Sequence, residues 1–338
     1  MNKLISPSEK IFLAGSRGMV GNAILRVLLR EGYGDKRYNG EILTPNRKEL
    51  NLLNFNECKN WFENHKPTVV IIAAAKVGGI FANSSRPKDF LLENLKMQTN
   101  IIELSFLHNV KRLIFLGSSC IYPKFAEQPI KEESLLSGDL EKTNQWYAIA
   151  KIAGLKLCEA LRIQEGFDSI CLMPTNLYGP LDNYHFKNSH VMAALIRKFY
   201  EAKKNNLPSV ICWGSGKPLR EFMHVDDLGE AVKFVLENWD PSRKNSAIDS
   251  ELNESNFLNV GTGKDISISE LANLISKKLS YEGEVIWDKT MPDGTPKKLL
   301  DISKITKLGW SPKITLEEGI DLTIKSFKKE IESGICRI

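Results

Sequence analysis

The sequence predicts an α/β fold: a doubly wound parallel sheet followed by a smaller C-terminal domain. Three observations carry the prediction. Through the first 180 residues, short and continuously apolar runs alternate with amphipathic stretches of helical length, as expected of strands buried on both faces with helices between them. The first run, Lys10–Ala14, leads directly into Gly15-Ser16-Arg17-Gly18-Met19-Val20-Gly21 and then a helical stretch. Strand, glycine turn and helix together open a dinucleotide-binding unit. After Pro180 the alternation gives way to polar loops and isolated helices.

Lys10–Ala14 (KIFLA) reads as a strand and residues 22–30 as the helix after the glycine turn. Residues 41–44 read as a second strand, 56–65 as a helix and 68–73 (TVVIIA) as a third strand. Residues 73–80 (AAAKVGGI) are small and glycine-rich where that strand ends. Ligands of open α/β sheets lie beyond strand C-termini, so small residues here suit close approach by a cofactor. Residues 89–109 read as a long helix, 113–116 as a strand, 144–165 as a helix and 169–173 as a strand. Farther on, 191–204, 228–238, 268–279 and 316–327 read as helices, and 210–213 as a short strand. A further strand ends at Asn259-Val260-Gly261. Residues 289–300 read as a loop, and the polar stretch 240–255 is expected to be mobile. The expected division is a Rossmann-like domain at 1–180, rejoined near 222–240 and 257–263, and a second domain at 181–221 and 264–330.

Forty-six Lys and Arg against 41 Asp and Glu give a net charge of +5. The basic residues are scattered, which argues against a nucleic-acid groove and suits a pocket for an anionic small molecule. The hydrophobic and charged fractions, 42% and 26%, are those of a globular chain. The six cysteines form no CxxC pair. Cys158, Cys171 and Cys212 lie in apolar surroundings and read as buried thiols of a reducing compartment. His65, His108, His185, His190 and His224 show no metal-ligand spacing, so no metal is expected. No apolar run approaches membrane-spanning length and no signal-peptide pattern is present. The expectation is a cytoplasmic protein without a membrane segment.

The 113–116 strand runs into Gly117-Ser118-Ser119-Cys120, and Tyr147 and Lys151 stand four residues apart on the following helix. That spacing puts both side chains on one helical face. The pKa of a tyrosine must fall well below its usual value of about 10 before it exchanges protons near neutrality. A lysine ammonium one turn away, with a cationic nicotinamide ring, would supply the charge. Ser118 can hold the same carbonyl or alcohol oxygen. The triplet suits hydride transfer to a carbonyl, with Tyr147 as acid and Ser118 as orienting group. The spacing alone is common in packed helices; the strand-end serine and the upstream glycine turn give it weight. That turn admits a pyrophosphate to the helix N-terminus. Arg47 follows the second strand, where a carboxylate would bind a ribose 2′-OH; an arginine there favours NADP(H) over NAD.

Together these motifs resemble the extended short-chain dehydrogenase/reductases that act on nucleotide sugars. Within that group, AAAKVGGI, LGSSCIYP, Lys142-Thr143-Asn144 before YAIAKIAG, MPTNLYGP, NSHV, WGSG, REF, VDD, NVGTG and PDGTPKKLLD look like the GDP-L-fucose synthases, over residues 10–312. The resemblance implies NADP(H) and the substrate GDP-4-keto-6-deoxy-D-mannose, epimerised at carbons 3 and 5 and then reduced at carbon 4. It implies a homodimer that pairs the helices at 89–109 and 144–165. It makes Cys120 and His190 the acid/base pair of the epimerisation, two residue types whose ordinary pKa values bracket neutrality. Leu116, Gly117, Ser118, Ser119, Lys151, Pro174, Thr175, Asn176, Leu177 and His190 would line the cofactor. Lys198, Trp213, Arg220, Asp293 and Lys298 would hold the GDP portion and its diphosphate. Lys198 stands where some members carry arginine, with loss of bidentate geometry.

Other readings remain open. A 4,6-dehydratase would want an Asp-Glu pair after Ser118, where Ser119 and Cys120 stand. A 4-epimerase with tightly held NAD would want an acidic residue in place of Arg47. A catalytically silent NADP-binding protein would have no need of Ser118, Tyr147 and Lys151 together.

Overall fold

The computed structural model describes residues 3–186, 188–242, 255–291 and 293–338. The first half runs β1 (Lys10–Ala14), α1 (Met19–Arg30), β2 (Glu41–Leu43), α2 (Phe55–His65), β3 (Val69–Ile72), α3 (Ile80–Ser85), α4 (Pro87–Leu107), β4 (Arg112–Leu116), α5 (Gln145–Glu165), β5 (Ser169–Pro174) and β6 (Asn176–Tyr178). There follow α6 (Val191–Lys204), β7 (Ser209–Trp213), β8 (Leu219–His224), α7 (Val225–Asn238), β9 (Phe257–Val260), β10 (Asp265–Ser267), α8 (Ile268–Leu279), β11 (Glu284–Asp288), β12 (Lys297–Lys298), α9 (Ser303–Lys307) and α10 (Leu316–Glu332).

The main sheet is six-stranded and parallel, in the order β2-β1-β3-β4-β5-β9. The strand pleat sorts its side chains. Ile11 and Leu13 join one core with Ile24, Leu28, Val232 and Leu236 of α1 and α7. Phe12 and Ala14 join the opposite core with Phe62, Ile101 and Leu155 of α2, α4 and α5. Each fully buried Leu, Ile or Phe is worth roughly 1.5–3 kcal/mol, so continuous apolar strands such as VVII of β3 have no solvent-facing alternative. The strand order reverses between β1 and β3, which opens a crevice beyond their C-terminal ends. A third core joins Tyr178, Phe199, Phe222, Leu271, Ile275, Ile320 and Phe327 around α6, α8 and α10.

The long helices and the parallel sheet stand where the sequence predicts them, and α6 and α8 match to the residue. A second sheet was not foreseen. In it β8 pairs with β6 and β12 in parallel and with β10 antiparallel, and β7 pairs separately with β11. Arg220-Glu221-Phe222 lies in strand β8. Its polar pair hides the strand pattern because Glu221 is buried and spends its carboxylate on the backbone N–H groups of Thr262, Gly263 and Leu300. The helix read at 228–238 begins three residues earlier, at Val225. Most of the stretch expected to be mobile, residues 243–254, lies outside the described residues. Among the described residues no helix is long and apolar enough to cross a membrane.

Candidate active site

At the crevice, the glycine turn packs against the end of β3. A Cβ on Gly15, whose φ is +90°, would lie 2.7 Å from the Ala74 amide nitrogen, and one on Gly21 would lie 2.1 Å from the Gly15 carbonyl oxygen. Packing alone demands those two glycines. Gly18 differs: its Cβ would meet the Gly15 oxygen at an ordinary 3.5 Å. It caps the N-terminus of α1 without a side-chain bond. The bare Gly18 leaves room at a helix end whose free N–H groups and dipole attract anions, so these residues fit a dinucleotide pyrophosphate. Ser16 is buried, Met19 and Val20 are half-buried, and Arg17 is exposed, as is Arg47 in the turn beyond β2.

The proton-transfer cluster forms where β4 ends. Ser118 caps a short 3-10 turn, and its Oγ accepts the Cys120 N–H at 3.2 Å. Tyr147, in the first turn of α5, lies near Ser118, whose hydroxyl acts to lower its pKa. Lys151 is 3% exposed, donates to the Leu116 carbonyl at 2.7 Å, and stands 4.6 Å from the Phe115 ring centroid and 5.8 Å from that of Tyr147. Burial raises the Tyr147 pKa well above its ordinary value, Cys120 adds to the rise, and Ser118 opposes it. Burial also pulls Lys151 down to about 7. In the protein alone, desolvation is the largest cause of both directions; the charge of the nicotinamide ring, which the sequence reading pairs with the lysine, is no part of this balance.

Cys120 is half-buried, and its Sγ receives Asn144 Nδ2 at 3.4 Å and Lys298 Nζ at 3.6 Å. His190 caps the N-terminus of α6 without a side-chain cap bond. The residue is exposed; desolvation first, and then the Lys298 ammonium, lower its pKa. The His190 loop rests on the AAAKVGGI stretch. Gly79 donates its N–H to the Asn188 carbonyl at 3.1 Å, and a Cβ on Gly79 would fall 2.5 Å from the Ser189 oxygen. Gly79 therefore makes room for this loop. At the end of β5, Thr175 and Asn176 bind the Glu221 carbonyl, at 3.3 and 2.8 Å, between half-buried Leu177 and buried Pro174.

The remaining candidates form a chain of contacts. Lys198 Nζ donates to the Ile211 carbonyl at 2.8 Å and lies 5.4 Å from the ring centroid of exposed Trp213; burial lowers its pKa. Asp293 accepts from the Ser215 N–H at 2.6 Å and the Ser215 hydroxyl at 2.7 Å, which holds its carboxyl below the usual range and pins the turn after Trp213. Arg220 is half-buried and donates to the Leu219 carbonyl at 2.8 Å. Burial lowers its pKa, while Asp293, Glu141 and Cys120 act to raise it. Sequence reasoning read Asn144 only as a helix start, and it missed Glu141 and Glu221. The sign was local for Asn144, a cap-type residue three positions before Tyr147, and absent for the other two.

The NAD dependent epimerase/dehydratase family model matches residues 11–249. GDP-L-fucose synthase 1 of Arabidopsis thaliana is 48% identical over 331 residues, covering 98% of this chain and 97% of that protein. The GDP-L-fucose synthase of Escherichia coli (strain K12) is 47% identical over 319 residues, covering 94% and 96%. A solved GDP-L-fucose synthetase from Naegleria fowleri bound to NADP aligns with a TM-score of 0.85 at 26% identity, over 100% of this chain and 99% of that one. On fold and sequence alike, this chain belongs to the NAD dependent epimerase/dehydratase family, among the GDP-L-fucose synthases.

Proposed function

We propose that this chain converts GDP-4-keto-6-deoxy-D-mannose to GDP-L-fucose with NADPH. One observation carries the reading: Ser118 and Tyr147, a carbonyl-reducing pair, stand together with Cys120, a second proton-transfer group whose N–H binds Ser118 Oγ. The names of the relatives support the substrate, and the NADP-bound neighbour supports the cofactor.

The glycine turn, Arg47, residues 116–119 and 174–177, and Lys151 would hold the cofactor, which would supply a hydride to carbon 4 when bound. While carbon 4 is a ketone, loss of a proton from carbon 3 or 5 places negative charge on the ketone oxygen. Ser118 and Tyr147 donate to that oxygen and stabilise the charge. Cys120 and His190 exchange the carbon-bound protons, one group removing and the other returning a proton on the opposite face. The inversions consume no reductant. Reduction then takes up one hydride at carbon 4 and one proton at its oxygen, delivered by Tyr147. Arg220, Lys198 and Lys298 offer positive charge to the diphosphate, and Trp213 offers a flat apolar face. Residues 1–180, with 222–240 and 257–263, serve the cofactor in this reading, and 181–221 with 264–330 serve the substrate. Exposed Leu92, Trp146 and Ile149 on α4 and α5 support a homodimer through those helices.

The test is turnover in deuterated water. Product with deuterium at carbons 3 and 5 is expected. Ketone reduction without label at either carbon sinks the epimerase half and leaves a plain 4-ketoreductase.

A further inference from the structure

We infer that Lys298 is a positioning residue for Cys120: its ammonium, with the Asn144 amide as a second donor, orients the sulfur and stabilises negative charge on it when the group takes part in proton exchange. The inference rests on the epimerase reading of Cys120. Lys298 Nζ stands 3.6 Å and Asn144 Nδ2 3.4 Å from Sγ. A thiol offers one weak donor of its own, so a sulfur facing two N–H donors, one of them charged, is matched to the anion.

The neighbouring lysines make different choices. Lys124 pairs with Glu141 at 2.8 Å, and Lys297 pairs with Asp265 at 3.2 Å. Lys297 and Lys298 are consecutive in β12, so the pleat sends them to opposite faces. β12 is anchored on several sides. Lys298 registers with Arg220, the Leu299 N–H binds Gln128 Oε1 at 2.8 Å, the Ile130 N–H binds the Leu299 carbonyl at 2.7 Å, and the Leu300 N–H binds Glu221 Oε2 at 3.0 Å. The ammonium is thus delivered to the sulfur by a fixed strand. It also acts on His190, where it disfavours the imidazolium.

Iodoacetamide alkylation of Cys120 at neutral pH, in protein without substrate and followed by peptide mass, tests this. Half-buried Cys336 serves as internal reference, since Cys58, Cys158, Cys171 and Cys212 are buried. Lys298→Met should slow alkylation of Cys120 about tenfold, the size of one hydrogen bond to a charged group. Lys298→Arg should recover most of the rate. Lys298→Met should also lower kcat for deuterium exchange more than it raises KM. Alkylation of Cys120 at the wild-type rate in Lys298→Met overturns the inference, as does a rise in KM for the GDP-sugar with kcat unchanged, which would leave Lys298 a diphosphate ligand only. Alkylation needs no substrate, so this result stands apart from the labelling result that judges the epimerase reading.

Discussion

Lys151 shows what one buried residue costs and why it is kept. Its folded pKa, about 7, lies below the usual lysine value, so between the two the unfolded chain binds the extra proton. Stability from this group therefore rises with pH from about 7 upward and is lowest below it. A tenfold loss of proton affinity on folding corresponds to about 1.4 kcal/mol. Lys151→Met should melt above wild type at pH 6, with the gap closing toward pH 10, and should lose roughly 10²–10⁴-fold in NADPH oxidation. Melting curves across pH and a spectrophotometric assay check both halves. A variant that melts below wild type at pH 6 would mean that the contact to Leu116 outweighs burial. The Y-x-x-x-K spacing was legible in the sequence, but the directions in which the Tyr147 and Lys151 pKa values move were not. Desolvation sums over every neighbour, and most of them, such as Phe115, come from other elements.

Among the elements, the glycine turn separates two demands that look alike in sequence. Gly21 is required by the Gly15 carbonyl beside it, whereas Gly18 faces no such obstacle. Gly21→Ala should unfold the turn and lower the melting temperature sharply. Gly18→Ala should fold with near wild-type stability and weaken NADPH binding about tenfold or more, through a methyl group placed where the proposed site would seat the phosphate. Fluorescence titration with NADPH distinguishes the two, and a Gly18→Ala variant that binds normally would remove this helix end from the cofactor site. The elements that sequence reasoning found are the long ones, whose apolar period repeats enough to be read: α4, α5, α6, α8 and the strands of the parallel sheet. Those it missed, β6, β8, β10, β11 and β12, are short and paired across long separations, or carry a buried charge such as Glu221 that breaks the pattern.

At the scale of the molecule, Glu221 ties the Gly261–Gly263 turn to β8 and to the residues beside Lys298, so the six-stranded sheet and the second sheet share one buried carboxylate. The apolar surface left on α4 and α5 belongs to the same scale. Sedimentation equilibrium should return a dimer, and Ile149→Glu should shift it to monomer by placing a charge in a closed two-fold interface. A monomeric wild type would end the proposed pairing.

Local covalent order settled much of this protein. The glycine spacing, the alternation of apolar runs and helices, and the i, i+4 placement of Tyr147 and Lys151 each follow from neighbours within a turn or two of chain, and so they are written in the sequence. Tertiary structure alone decided the rest. It set Lys298 against Cys120, across 178 residues of chain. It seated the His190 loop on Gly79, and it turned Glu221 inward to hold backbone amides. These contacts depend on which elements fold against each other, and the resulting burial sets the charge states on which the chemistry depends.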